Sequence, residues 1–133
     1  MFPATARLQG AYRATAYVVR LAGRDVVLRV GHAPPALPWG ACRQAWVVTA
    51  CNPASRPRTA ASNGLAARRL KRALRGLRAL PCVARADAGD WPPEPGLAVF
   101  GITRRAAAAL GRAWRQNAIL QVGRRTVVLV PLA

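Results

Sequence analysis

Apolar residues recur along the chain in the short runs and alternations that are typical of β-strands. A first pair of strands is predicted in residues 12–30, around a turn at Ala22-Gly23-Arg24. Residues 31–40 are rich in proline and glycine and are predicted to form a loop. Further strands are predicted at residues 45–50, 80–86 and 96–102, and residues 118–130 divide at 123–125 into two more.

Two segments have helical periodicity instead. Residues 62–78 (SNGLAARRLKRALRGLR) are predicted to form a helix capped by Ser62 or Thr59, and Thr103 can cap a second helix that runs to Gln116. In the first helix one stripe is apolar and predicted to face a core: Ala66, Leu70, Ala73, Leu74 and Leu77. In the second helix, Leu110 and Trp114 lie four residues apart on the predicted inner face.

The order of these elements predicts one α+β domain over residues 1–133. Its sheet is expected to be antiparallel or mixed, with two helices. The inner elements follow the β-α-β-β-α-β order of a ferredoxin-like split βαβ core, to which the N-terminal hairpin and a final C-terminal strand are added. An α+β sandwich with another strand order would produce the same sequence of elements.

Charge adds a functional expectation. The chain has 21 Lys and Arg against 4 Asp and Glu, a formal net charge of +17. Such an excess, spread over a whole domain, attracts polyanions. A GC-rich genome would account for the preference for Arg over Lys, but it gives no evident reason for the scarcity of acids. The expected partner is therefore nucleic acid, RNA or DNA, or another polyanion.

The first predicted helix carries the densest charge. Opposite its apolar stripe lie the residues we predict to contact phosphates, with Arg69 at their margin: Arg68, Lys71, Arg72, Arg75 and Arg78. Like charges four residues apart disfavour an isolated helix, so a polyanionic partner would make sense of the arrangement. We expect binding without catalysis and with limited base specificity. RNA is slightly favoured over DNA, because no helix-turn-helix spacing is visible.

Four amide side chains at the ends of predicted elements suggest an alternative. Asn52, Asn63, Gln116 and Asn117, called the amide cluster below, each offer hydrogen-bond donors and acceptors. Together they could form a pocket for a small polar ligand or a nucleobase, or a protein-interaction site. Asn52 could instead make a turn before Pro53, while Asn63 caps a helix and Asn117 ends one.

Other chemistry has less support. Asp87, Asp90 and Glu94 share one proline-rich loop, but they lack the spacing of a metal-binding loop, and pairing with arginines is expected instead. His32 has no evident nucleophilic partner. The common nucleotide-binding and hydrolase motifs do not occur. We therefore expect no catalytic residue, no metal and no cofactor.

The remaining expectations concern location, cysteines and tryptophans. No apolar run reaches the roughly 18 residues of a membrane span, and the N-terminus lacks the apolar region of a signal peptide, so a cytoplasmic protein without a membrane partner is expected. The sequence leaves the oligomeric state open. Cys42, Cys51 and Cys82 are expected to be buried thiols. The tryptophans expected in the core are Trp46 and Trp114, and those expected at the surface are Trp39 and Trp91.

Several short motifs resemble a bacterial family of small proteins known as a domain of unknown function. They are TACNP at residues 49–53, Ser55, Ser62-Asn63 at the helix start and QNA at residues 116–118. The family pattern has T-A-W-N-P, E-N, an acidic residue before an apolar strand, and Q-N-A. Here Cys51 replaces the Trp, and Ser62 replaces the Glu. The resemblance covers nearly the whole chain and implies no particular activity.

Overall fold

A computed structural model describes residues 3–37, 44–52 and 56–132. The chain has both helices and antiparallel strands, as an α+β protein does. In the described residues the helices are α1 (Pro3–Arg13), α2 (Ala60–Ala73) and α3 (Arg104–Ala113), and the strands are β1 (Thr15–Leu21), β2 (Arg24–Leu28), β3 (Ala45–Thr49), β4 (Ala79–Ala86), β5 (Glu94–Phe100), β6 (Ala118–Val122) and β7 (Val127–Pro131).

The predicted N-terminal hairpin is present. Arg20 pairs with Asp25 and Leu21 with Arg24 across the β1–β2 turn. Ala22 and Gly23 have φ angles of 49° and 82°, and positive φ at both central residues matches the right-handed twist of the flanking strands. The predicted division between β6 and β7 is also confirmed, since Val122 pairs with Val127.

The strands form one seven-stranded sheet in the order β2-β1-β4-β5-β3-β6-β7, and every neighbouring pair is antiparallel. Helix α2 connects β3 to β4, which lie on either side of β5. Helix α3 connects β5 to β6, which lie on either side of β3. The two apolar strands predicted at residues 45–50 and 96–102 correspond to β3 and β5, which pair directly with each other.

Both faces of the sheet are buried. The first core contains Tyr17, Val47 and Cys82 together with residues from all seven strands. The second core lies between the sheet and the two later helices, where Trp46 and Val99 pack with Leu70 and Ala107. Burial on both faces explains why β3 reads as a continuous apolar run rather than an alternation.

The two edges of the sheet meet, so the sheet is curled. Gly31 N donates to Val127 O at 2.8 Å, and Val127 N donates to His32 O at 3.1 Å. Gly31 has a φ of 85°, and a Cβ atom placed there would lie 2.9 Å from Arg13 Nη1. Glycine therefore both provides the backbone conformation and leaves room for Arg13 at this closure.

The structure corrects several expectations. There are three helices in the described residues rather than two, because residues 3–13 form α1 where no helix was predicted. Strand β5 begins at Glu94, two residues before the predicted start. Helix α2 covers residues 60–73 rather than 62–78. Its predicted apolar stripe is also shorter, since Ala73 is exposed and Leu77, beyond the helix end, is 43% exposed.

Most of the expected surface and core positions are described. Trp46 is fully buried, and Trp114 packs against the second core. Trp91 is 41% exposed. Cys51 and Cys82 are buried and free. Trp39 and Cys42 lie outside the described residues, as do Pro53 and Ser55.

Candidate functional site

Helix α2 is amphipathic, and its local sequence explains how it is held. Thr59 caps the N-terminus, accepting a hydrogen bond from Ser62 N at 3.1 Å through its side chain. Leu70 and Leu74 are buried in the second core. Their burial fixes the rotation of the helix and turns its charged side chains to solvent.

The five basic residues predicted to contact phosphates are all exposed, but only three belong to the helix. Arg68, Lys71 and Arg72 lie on α2. Arg75 lies in the turn that follows it, and Arg78 lies just before β4. The helix ends early because Gly76 has a φ of 92°, which breaks the helical conformation.

Arg78 has a further contact that sequence reasoning missed. Its guanidinium carbon lies 5.0 Å from the centroid of the Phe100 ring, which is cation–π geometry. Its carbonyl also accepts a hydrogen bond from Phe100 N at 2.9 Å. These contacts hold Arg78 beside β5, so its side chain is more restricted in position than those of the basic residues of α2.

The acidic residues do not neutralise α2. Asp25 pairs with Arg20, and Asp87 pairs with Arg29 through two hydrogen bonds of 2.9 Å each. The Arg29 contact holds the pKa of Asp87 below its usual value. In the part of the chain that the structure describes, which includes all four acidic residues, none pairs with a basic residue of α2. The positive charges of α2 are therefore not neutralised by any carboxylate in the described residues.

Helix α3 adds charge to the same side of the sheet. Arg104, Arg105 and Arg112 are exposed, while Ala107 is buried in the second core with Leu70 of α2. Both helices therefore cover one face of the sheet and display arginines outward. The sequence analysis did not include Arg104 and Arg105 among the residues expected to contact phosphates. The signal that could have found them is that the second predicted helix, like the first, has one apolar and one basic face.

Three members of the amide cluster lie in one hydrogen-bonded region. Asn52 N donates to Asn63 Oδ1 at 2.9 Å, and Asn63 Nδ2 donates to Asn52 Oδ1 at 2.8 Å. Arg58 N also donates to Asn52 Oδ1. Gln116 Nε2 donates to Cys51 O at 3.1 Å. These contacts connect the end of β3 to α2 and to the segment after α3.

Asn117 is placed differently. Its backbone carbonyl accepts a hydrogen bond from Leu132 N at 2.9 Å, which joins the chain before β6 to the end of β7. Asn63 does not cap α2, because Thr59 has that role. Asn52 is 6% exposed with a φ of 47°, so it lies in a left-handed turn at the end of β3.

A small cavity lies inside the curled sheet. Its volume is about 30 Å³. The residues that line it are Tyr12, Tyr17, Val47, Thr49, Cys82, Ala84, Glu94, Gly96, Ala118, Ile119 and Leu120. The sequence did not predict this cavity, because its lining comes from α1 and from five strands that are far apart in the chain.

The cavity holds two stacked tyrosines and a thiol, all of them strongly shielded from water. The rings of Tyr12 and Tyr17 have centroids 6.2 Å apart and planes inclined by 14°. Burial raises the pKa of Tyr12 to about 12, and it raises the pKa of Tyr17 as well. Burial also raises the pKa of the Cys82 thiol to about 12. These groups are therefore neutral near pH 7.

Within the described residues, no group of three or more His, Cys, Asp and Glu side chains could hold a metal ion. No described helix is long and apolar enough to cross a bilayer.

Comparison with known proteins identifies a family. Residues 48–119 match the family described as Protein of unknown function (DUF3293). The match covers more than half of the 133 residues and runs from β3 to β6, including α2, α3 and all four residues of the amide cluster. No curated protein and no solved structure matches the chain. The chain belongs to the DUF3293 family of proteins of unknown function.

Proposed function

We propose that this protein binds nucleic acid through phosphate contacts made by the exposed basic face of α2, without catalysis. One observation carries the proposal. Arg68, Lys71 and Arg72 face solvent from a helix whose other side is anchored in the second core. A rigid helix that presents several cations toward solvent suits the regularly spaced charges of a nucleic-acid backbone.

The energetics support an external anion. Arg68 and Arg72 lie four residues apart on α2, and such a like-charge pair disfavours a helix by roughly 0.2–0.5 kcal/mol. Phosphates would relieve this repulsion, and binding would release the counterions condensed on the nucleic acid. The arginines of α3 extend the same surface.

The surface also supports limited base specificity. Of the large apolar residues exposed in the described part of the chain, only Trp91 is aromatic, and it lies in the β4–β5 loop rather than on α2 or α3. Base stacking needs exposed aromatic rings. The two helices therefore offer no aromatic ring for base stacking, and we expect their arginines to contact mainly the phosphates.

The experiment measures fluorescence anisotropy of labelled RNA and DNA oligonucleotides, single- and double-stranded, over a range of salt concentrations. The test variant combines Arg68→Gln, Lys71→Gln and Arg72→Gln, which keep helix propensity. The control variant combines Arg7→Gln, Arg24→Gln and Arg125→Gln, three exposed residues that lie outside α2 and α3. Both variants lose the same net charge.

If α2 makes three phosphate contacts, the test variant should reduce the slope of log K against log salt by about 2–3. The control variant should change the slope much less. If the slope decreased equally in the two variants, net charge rather than the position of the charges on α2 would determine binding. No binding by the native protein at low salt would overturn the proposal.

The alternative function is a small-ligand or protein-interaction site at the amide cluster. The hydrogen bonds of Asn52, Asn63 and Gln116 described above are made to one another and to the backbone. This pattern favours a structural role, in which the amide side chains stabilise the turn at the end of β3. We therefore favour the nucleic-acid proposal over a ligand site at the amide cluster. A ligand that shifts the side-chain amide NMR signals of Asn52 and Gln116 would reverse that order.

We also propose that β3, α2, β4, β5, α3 and β6 form a ferredoxin-like split βαβ core. The order β4-β5-β3-β6 supports it, with β3 and β4 both antiparallel to the β5 strand between them. An experimental structure with the two helices on opposite faces of these four strands would contradict it.

A further inference from the structure

The cavity inside the curled sheet contains an unusual carboxylate. Glu94 lies at the start of β5 and lines the cavity beside Tyr12 and Thr49. Although the chain has 21 basic residues, Glu94 forms no ion pair within the described residues. Its Oε2 accepts a hydrogen bond from Trp91 Nε1 at 2.5 Å. The carboxylate thus has a neutral hydrogen-bond donor, and its negative charge is not compensated by an ion pair within the described residues.

The other polar groups of the cavity are also neutral. Tyr12, Tyr17 and Cys82 retain their protons near pH 7, because the ordinary pKa values of tyrosine and cysteine lie above 7 and burial raises the pKa of each of these groups further. The Thr49 hydroxyl donates to Pro95 O at 2.9 Å and accepts from Cys51 N at 3.1 Å. The lining therefore offers one carboxylate, two aromatic rings and no cation.

This composition selects the charge of a ligand. An anion would meet the Glu94 carboxylate with nothing to compensate it. A cation would gain a charge-assisted hydrogen bond to Glu94 and a favourable interaction with the tyrosine rings. The positive charges of α2 and α3 lie across the sheet from the first core, and salt screens them over about 8–10 Å.

The volume of the cavity limits the size of the ligand. A water molecule needs roughly 10–15 Å³ of cavity volume. The cavity has a volume of about 30 Å³, so it can hold one or two groups of the size of a water molecule. An ammonium group with one carbon attached meets this limit. A quaternary ammonium, which has four carbons around the nitrogen, exceeds it.

We propose that the cavity binds the ammonium group of a small primary amine, with Glu94 as its counter-ion and the Tyr12 and Tyr17 rings as its walls. Thr49, Cys82, Ala84, Glu94, Gly96 and Ala118 lie within the segment that matches the family. The site is separate from the basic face of α2, so it does not depend on nucleic-acid binding.

The experiment titrates the ¹⁵N-labelled protein with methylammonium chloride at constant ionic strength and records the amide NMR signals of Gly96 and Ala118. Sodium chloride and tetramethylammonium chloride serve as charge and size controls. The variant Glu94→Gln keeps an oxygen to accept from Trp91 Nε1 but removes the charge. The variant Asp90→Asn removes an exposed carboxylate from the adjacent β4–β5 loop.

Methylammonium should shift the Gly96 and Ala118 signals saturably, while tetramethylammonium and sodium should not. Glu94→Gln should weaken binding roughly tenfold or more, as loss of a charge-assisted hydrogen bond does, and Asp90→Asn should leave it unchanged. Equal binding by Glu94→Gln, or equal shifts with tetramethylammonium, would overturn the proposal.

A second variant keeps the test decisive if Glu94→Gln does not fold. Ala84→Leu places a larger side chain on the cavity wall without altering any charge. A folded Ala84→Leu protein should lose the methylammonium shifts. Unchanged saturable binding in that variant would place the amine elsewhere and refute the site.

Discussion

Asn63 and Asn52 hold each other through two hydrogen bonds, one from each residue. Asn63 Nδ2 donates to Asn52 Oδ1 at 2.8 Å, and Asn52 N donates to Asn63 Oδ1 at 2.9 Å. Asn52 is buried and has a left-handed backbone conformation. The pair therefore stabilises a turn that would otherwise be strained, and it connects the end of β3 to α2.

The first prediction follows from this pair. Asn63→Ala should lower the free energy of unfolding by about 1–3 kcal/mol, because it leaves the buried Asn52 N–H without a partner and leaves Asn52 Oδ1 with only the hydrogen bond from Arg58 N. Urea unfolding followed by circular dichroism measures the change. Ser62→Ala is the control, since Ser62 is the exposed neighbour on the same helix. Equal effects of the two substitutions would contradict a special role for the pair.

The second prediction compares two helical glycines. A Cβ at Gly111 of α3 would lie 2.5 Å from Leu132 Cδ1 and 2.8 Å from Ile119 Cγ2, whereas at Gly64 of α2 it would meet only Arg68 Nη1 at 3.7 Å. Alanine is the better helix former by about 1 kcal/mol. Gly64→Ala should therefore raise the free energy of unfolding, while overpacking makes Gly111→Ala lower it by about 1–2 kcal/mol.

Thermal unfolding of both glycine variants checks this comparison. An increase in stability for both would show that the second core can accommodate a methyl group between α3 and β6. A decrease for both would show that α2 also lacks room at Gly64.

The third prediction concerns alkaline pH. The pKa of Tyr12 is raised from 10.0 to about 12 by burial, and that of Tyr17 is raised too. A raised pKa means that the folded protein retains its proton after the unfolded chain would lose it. The free energy of unfolding should therefore be unaffected by these groups below pH 10 and should fall by about 1–3 kcal/mol as the pH rises from 10 to 12.

Phenolate absorbance tests this prediction directly, because the chain has only two tyrosines. In the native protein the phenolate absorbance should increase only at pH values well above 10, and the increase should coincide with the loss of tertiary structure. In urea it should rise near the ordinary tyrosine pKa of about 10. Titration of the native protein near pH 10 would show that the two rings are accessible to water.

The fourth prediction uses the position of charge along α3. Arg104 and Arg105 lie in the first turn, next to the positive end of the helix dipole, and Arg112 lies in the last turn. Arg104→Gln and Arg105→Gln should each raise the free energy of unfolding by about 0.3–1 kcal/mol at low salt. Arg112→Gln should lower it or leave it unchanged.

These three substitutions remove the same charge, so general repulsion is relieved equally and only the position on the helix differs. Urea unfolding at low and high salt measures the difference, which should shrink as salt rises. A uniform gain in all three variants would mean that net charge outweighs the helix dipole in this protein.

Much of the local structure could be predicted from the sequence. Thr59 and Thr103 cap their helices, the Ala22-Gly23 turn joins two strands, and the apolar run of β3 is buried on both faces. Each of these depends on interactions between residues that are close in the chain. The charge of the α2 surface is equally a property of the sequence, since scarce acids cannot neutralise it wherever the chain places them.

The sequence alone determined the caps, turns, apolar strands and excess of positive charge, because short-range sterics and hydrogen bonds decide them. Only the tertiary structure decided that Gly31 pairs with Val127, that Asn63 reaches Asn52, and that Tyr17 and Glu94 line one cavity. These contacts join distant residues, and many chain paths share the same local pattern. Which path is taken depends on the packing of both faces of the curled sheet at once, and no local sequence window contains that information.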